Sequence, residues 1–367
     1  MWRRVSIAAT LILVSACLQS GGPQSFDVCG PAPTVGASLW GATAISASDI
    51  WAVGASQDGL LTEHWDGQRW TSIEVPVGPW DKGADLYAVS AAGPRDVWAV
   101  GEGHKNGQNG TLIEHWDGTT WSVVSSPNPS YIDRLTAVAA ISENDAWAVG
   151  DYLGPGRTEP LIEHWNGTSW NVVHTPGSAA GIDVLSGVSG VDASDVWAVG
   201  SRKDSDSAPL RTLIEHWDGS AWQVVPSPDP RGGGQLDSVR ALSAVDVWAV
   251  GAHVIHWDGV SWTVLPSPNI SNSSIHAIAS AGPADVWIAG AATRDWLIEH
   301  WDGKRWSTTA AAAHSTGVVN AVTALHDSVW AVGTHRASSC GPDWALIERW
   351  DGKSWSYVHS PHDGPES

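Results

Sequence analysis

The chain has 367 residues, and 39 acidic against 19 basic side chains give it a formal charge of −20 at pH 7. That balance excludes the basic footprint a nucleic-acid-binding surface requires. Length alone suggests two or three domains, but the 26 tryptophans recur at regular intervals, and a repeat of this kind builds one continuous core.

The amino terminus reads as an export signal. Arg3 and Arg4 precede an apolar run from Val5 to Ala16, which is shorter than the about 20 residues of a membrane-spanning helix. The run ends Val14-Ser15-Ala16-Cys17 and resembles the lipobox of bacterial lipoproteins. The resemblance implies cleavage of residues 1–16, lipid on Cys17, and a protein held by that anchor at the cell envelope, facing outward from the cytoplasmic membrane. An ordinary secretory signal with an incidental cysteine is the alternative. With Cys17 lipidated, Cys29 and Cys340 remain, and in an oxidising compartment they are expected to form a disulfide joining the two chain ends. Two free thiols are the other possibility. Residues 17–37, rich in Gly, Pro and Ser, read as a flexible tether.

Residues 38–362 hold seven copies of a two-part unit, and residues 363–367 form a short tail. The first part is typified by Asp96-Val97-Trp98-Ala99-Val100-Gly101 and the second by Leu112-Ile113-Glu114-His115-Trp116-Asp117-Gly118-Thr119-Thr120-Trp121. The units start near Leu39, Leu86, Leu135, Leu185, Leu236, Ile275 and Val319. In the second unit, Leu86 to Ser90, Val97 to Gly101, Leu112 to Trp116 and Trp121 to Ser125 are strand candidates, each bounded by turn residues. Four short antiparallel strands repeated in this way predict an all-β, seven-bladed β-propeller. Trp116 and Trp121 flank a four-residue turn, so they should face each other across the hairpin and fill the wedge between blades.

The Asp117-Gly118-x-x-Trp121 hairpin resembles the Asp-box turn of sialidase-like propellers, with Asp and Trp one residue closer and the leading Ser missing. Trp116-Asp117 is similar to the dipeptide of WD-repeat propellers, without their Gly-His element. The two motifs together resemble the tryptophan-rich propeller repeats of exported bacterial proteins, across nearly the whole mature chain. That resemblance implies the fold and no activity.

Function is expected on the loops that vary. The segments between the second and third strands range from residues 201–212 down to Ala252 alone, and variable loops on a rigid scaffold are where binding concentrates. Of the tryptophans outside the repeat, Trp40 opens the first strand. Trp80, Trp296 and Trp344 fall in loops of adjacent blades, with Arg294, Asp295, Arg336 and Asp343 beside the latter two. These seven are the candidate ligand-binding residues, for a polysaccharide or a surface protein. The competing reading is that the tryptophans fold back as extra core.

The Glu-His pairs, such as Glu114/His115, recur in most units. Adjacent strand residues point to opposite faces, so a pair cannot converge on one ligand and reads as a hydrogen-bonding device within each blade. His253 and His256 lack a third metal ligand, and Asp204-Ser205-Asp206 lacks the downstream carboxylate of a calcium loop. No phosphate loop or nucleophile elbow is present. No metal, cofactor or catalytic residue is therefore expected. A sialidase-like glycoside hydrolase or lyase would draw on Tyr131, Tyr152, Arg134, Arg157, Arg202, Arg211 and Arg231. The expectation is an exported, lipid-anchored binding module, with that hydrolase or lyase, or a scaffold subunit of an envelope assembly, as alternatives.

Overall fold

A computed structural model describes residues 36–80, 83–177, 181–205, 207–228, 233–266, 273–292, 296–309, 317–325, 328–336 and 342–363. The export signal, Cys17, the expected Cys29–Cys340 pairing, Arg294 and Asp295 lie outside the described residues.

The strands form seven four-stranded antiparallel sheets, each built from four consecutive strands, here called A to D from the first to the last. In blade 2 they are Asp85–Gly93, Asp96–Lys105, Gln108–Trp116 and Trp121–Val123. Strand D is shorter than the sequence suggested. Strands B and C are longer, because the segment expected to be a loop pairs with itself from Glu102↔Thr111 to Lys105↔Gln108. Blade 3 does the same from Asp151↔Pro160 to Gly154↔Arg157. Pairing satisfies backbone groups that a loop would leave to water.

Strand A of blade 7 (Gly317–Leu325) borders strand A of blade 1 (Ala37–Ser46), so the sheets close into a ring. Closure is reinforced at the rim, where Ser360 and His362 reach the buried Glu63 of blade 1 at 2.7 and 2.9 Å.

Indole rings fill the wedges. Trp98 of blade 2 is 1% exposed. It packs against Trp165 of blade 3 at 5.0 Å and edge-on against Trp170 at 5.2 Å. The same triad joins each blade to the next, and Trp330 of blade 7 meets Trp65 and Trp70 of blade 1 at 4.9 and 5.5 Å. Trp116 and Trp121 lie directly opposite each other, with centroids 5.9 Å apart. Their turn is held by Asp117 Oδ1, which accepts the amide N–H of Thr119 and of Thr120 at 2.8 and 2.9 Å. Gly118, at φ +96°, sits in the left-handed region that a side chain resists.

The Glu-His pair divides as its strand position dictates. His115 packs at a tilt against Trp98 with ring centroids 4.2 Å apart, and its Nε2–H donates to Asp96 Oδ1 at 2.7 Å. An ionised carboxylate only accepts, which assigns the proton to Nε2. Six blades repeat this device. In blade 7 the guanidinium of Arg349 replaces the imidazole, 5.3 Å over Trp330. The glutamates point the other way and are fully buried. Burial pushes the carboxyls of Glu114 and Glu163 up to about 8. Glu215, which accepts the Thr175 hydroxyl, is pushed by burial to about 7.

Candidate binding site at the mouth of the central channel

The Gly that ends each Trp-Ala-Val-Gly motif positions the site. Strand A crosses these glycines so closely that a Cβ on Gly101 would lie 1.8 Å from the Asp85 carbonyl oxygen. The corresponding approach is 1.9 Å at Gly54, 2.1 Å at Gly150 and 2.2 Å at Gly251. The pairing slips one residue at that point. Leu86 faces Gly101 and Ala88 faces Val100, leaving Tyr87 between them without a cross-strand partner. This is a β-bulge, the standard means of re-aiming one strand residue.

All seven innermost strands carry the bulge at the same place. The extra residues are Trp40, Tyr87, Thr136, Ser186, Asp237, His276 and Asn320. They lie near the start of strand A, on the rim that carries the B–C and D–A connections. The backbone device repeats while the residue it presents does not.

These side chains link blade to blade around the mouth. The Trp40 and Tyr87 rings are 5.4 Å apart. The Tyr87 hydroxyl donates to Glu102 Oε1 at 2.7 Å, and burial beside that carboxylate pushes its own pKa up. Thr136 reaches the Leu185 carbonyl of blade 4 at 2.9 Å. The Gln235 amide donates to Ser186 and Asp237 at 3.2 and 2.7 Å. His276 Nδ1 stands 3.6 Å from Asp237. Asn320 donates to the Leu39 carbonyl at 2.8 Å, returning to blade 1.

Charge gathers in blades 2 to 4, where Arg134 pairs with Asp151 at 2.6 Å and Arg202 with Asp183 at 2.9 Å. Asp85, Glu102 and His104 bring two carboxylates and an imidazole within 4.8 Å of one another. This grouping was not anticipated from the sequence. Burial raises the Asp85 carboxyl, and the nearby His104 partly offsets the rise.

The residues singled out from the sequence are placed separately. Trp80 is half-buried and lies over Gly103 and Gly110 of blade 2, where a Cβ would come within 2.0 and 2.3 Å of its ring. Trp296 is 6% exposed, against Gly317 of blade 7. Both fold back onto a neighbouring blade. Trp344 begins strand C of blade 7 and is half-buried, opposite His335. Arg336 and Asp343 are ion-paired at 2.6 Å and share a hollow with Gly36, Ser38 and Gln57 of blade 1. Tyr152 donates to Glu159 at 2.7 Å beside a hollow of about 280 Å³. Burial pushes that phenol up to about 12, away from the nucleophilic form.

The sequence reading placed function on the rim that carries these residues but passed over the ring itself. The signal was available: the position after each unit start, from Leu39-Trp40 to Val319-Asn320, is the one whose chemistry changes in every copy.

No protein-family model matches the chain, and no curated relative matches it. Solved structures do. YCF48 bound to D1 peptide superposes with a TM-score of 0.57 at 17% identity, covering 84% of this chain and 93% of that one. YCF48 from Cyanidioschyzon merolae gives 0.55 at 15%, covering 83% and 94%. The WD40 β-propeller domain of Doa1 gives 0.55 at 13%, covering 83% and 91%. The likeness is one of fold.

Proposed function

We propose that this propeller is a recognition module that takes a polypeptide segment of a surface protein at its channel mouth. One observation carries the reading: a bulge repeated in seven blades presents seven side chains of differing chemistry at one mouth. A scaffold position that repeats for packing keeps its residue, as the strand-B tryptophans do. The aromatic step of Trp40 and Tyr87, the amides of Gln235 and Asn320 and the flanking ion pairs suit a peptide, which offers backbone amides, apolar groups and charges together. Arg336, Asp343 and Trp344 flank the blade 7 side and extend the surface. That a YCF48 propeller has been solved with a peptide bound supports the use of this architecture for such a ligand. In the same reading the chain is exported and held at the cell envelope by lipid on Cys17, with Cys29 and Cys340 bonded.

The test is capture of envelope proteins and of an immobilised peptide library by the purified chain, with a glycan array in parallel. Peptide binding that falls about tenfold or more in Trp40→Ala/Tyr87→Ala is expected, since truncated interface anchors typically cost about 2 kcal/mol or more. Binding to glycans alone, or binding unchanged in the double variant, refutes the reading. Labelling with a fatty-acid analogue that is lost in Cys17→Ala checks the anchor.

A second reading rests on the Tyr152–Glu159 hydrogen bond, the kind of pair a sialidase-like hydrolase uses. Arg134, Arg157 and Arg202 are each tied to a carboxylate, which opposes a substrate-binding arginine cluster. Turnover of a fluorogenic sialoside, abolished in Tyr152→Phe, would support it.

A further inference from the structure

Below the bulges, strand A of every blade lines a lumen of about 350 Å³ along the ring axis. One level of this lumen is set by the strand-A residue that pairs with the strand-B tryptophan of its blade. Six of the seven blades place Ala, Ser or Thr there, as in Ala139↔Trp147 and Ser189↔Trp197. Blade 5 places Arg240 there, opposite Trp248. Among the described residues that line the lumen, Arg240 alone carries a charge.

Two features make this level a donor-rich cage. Arg240 stands on the lumen wall and stays exposed, and no carboxylate is among the described residues that line the lumen with it. The nearby hydroxyls are committed as acceptors. Ser90 Oγ accepts the amide N–H of Ala140, Ser189 Oγ that of Ala241, and Thr323 Oγ1 that of Ala44, each at 3.1 Å. A hydroxyl that accepts from the backbone still has its proton to give. The lumen therefore sets a five-donor guanidinium and several O–H donors around one small space, with no anionic side chain lining it. In a chain of net charge −20, whose channel mouth is set with carboxylates, an isolated interior cation stands against the overall field. A planar fork of N–H donors that faces such a space matches an oxyanion.

We propose that the lumen around Arg240 is a binding site for a small oxyanion, a carboxylate or phosphate group, held by the guanidinium and by the hydroxyls of Ser90, Ser189 and Thr323. The site is independent of peptide recognition at the mouth, and its test does not involve a peptide.

The probes are inorganic phosphate and acetate, titrated into the purified chain at constant ionic strength against chloride. Heat of binding and melting temperature are recorded together, and near-UV circular dichroism confirms the fold of each variant. A saturable response to at least one probe is expected. Arg240→Gln should weaken it about tenfold or more, the scale of one charge-assisted hydrogen bond, while Arg240→Lys retains part of it. The better probe identifies which oxyanion the cage fits. No saturable response in the unmodified chain overturns the proposal, as does equal binding in Arg240→Gln. If Arg240→Gln fails to fold, the unmodified chain and Arg240→Lys still decide it.

Discussion

Replacing Trp98 by alanine tests the account of the wedges. The indole is 1% exposed, and a ring of its size buries about 200 Å². At about 25 cal/mol per Å² this transfer is worth about 5 kcal/mol, and Trp→Ala substitutions in cores typically cost about 3–5 kcal/mol. The upper part of that range applies here, because the surrounding groups cannot close the gap. Trp165 and Trp170 belong to a different sheet, and His115 is pinned by Asp96. A loss of about 4–5 kcal/mol is a large share of the about 5–15 kcal/mol that stabilises a typical domain. Unfolding entropy of about 2.1 cal/mol/K per residue, summed over the propeller, converts the loss to a fall of about 6–7 °C in melting temperature. Scanning calorimetry and urea unfolding followed by fluorescence measure it. Val260→Ala, at a side chain 83% exposed, is the control and should change stability by less than about 0.5 kcal/mol. A loss below about 1 kcal/mol for Trp98→Ala refutes the claim that the indole triads hold adjacent blades together.

Further expectations follow from single contacts. Gly101→Ala places a Cβ against the Asp85 backbone and should cost about 1–3 kcal/mol or more through overpacking. Gly107→Ala meets nothing within 4 Å at φ +81° and should cost only the left-handed strain of about 1–2 kcal/mol; equal losses in chemical denaturation would contradict the close approach. Glu114 and Glu163 titrate near 8 in the fold against 4.5 unfolded, so the folded form holds their protons and stability falls as pH rises through that interval. Glu114→Gln should flatten this slope and gain on the parent, by a few kcal/mol at most near pH 8.5, in unfolding curves taken from pH 5 to 8.5. His362 is raised above its usual 6.5 by its hydrogen bond to Glu63. Its stabilising effect is complete below pH 6.5 and fades as pH climbs through the raised value, so His362→Gln should destabilise more at pH 6 than at pH 9. Amide exchange at the blade 7–blade 1 seam is the readout, and a difference independent of pH would count against the pairing.

The ring was legible in the chain because its determinants are local and repeat. A Trp-Asp-Gly turn with its glycine at positive φ announces itself in six of the seven units, and an Asp-Val-Trp strand or a close variant of it accompanies each turn. The Glu-His pair was readable too, since strand alternation alone separates Glu114 from His115. Hairpin length was not, because pairing across Glu102 and Thr111 depends on two segments meeting. Trp80 and Trp296 looked available because a tryptophan outside the repeat carries no mark of what will cover it. The covering groups, Gly103, Gly110 and Gly317, come from neighbouring blades. The bulged ring was hidden for a subtler reason: a one-residue slip leaves no trace in hydrophobic pattern, and the glycine that permits it reads as the end of a strand.

That slip has a consequence for how such a protein can change. Tyr87 and its counterparts have no partner across the ladder and take no part in the indole triads, so apart from the contacts that some of them make to the next blade their identity is decoupled from the packing that closes the ring. A mouth residue can be exchanged for one of another size or charge while glycine and tryptophan keep the sheets in place. The propeller thus separates what must stay constant from what is free to diversify, and libraries randomised at those positions alone should yield folded proteins with new ligands.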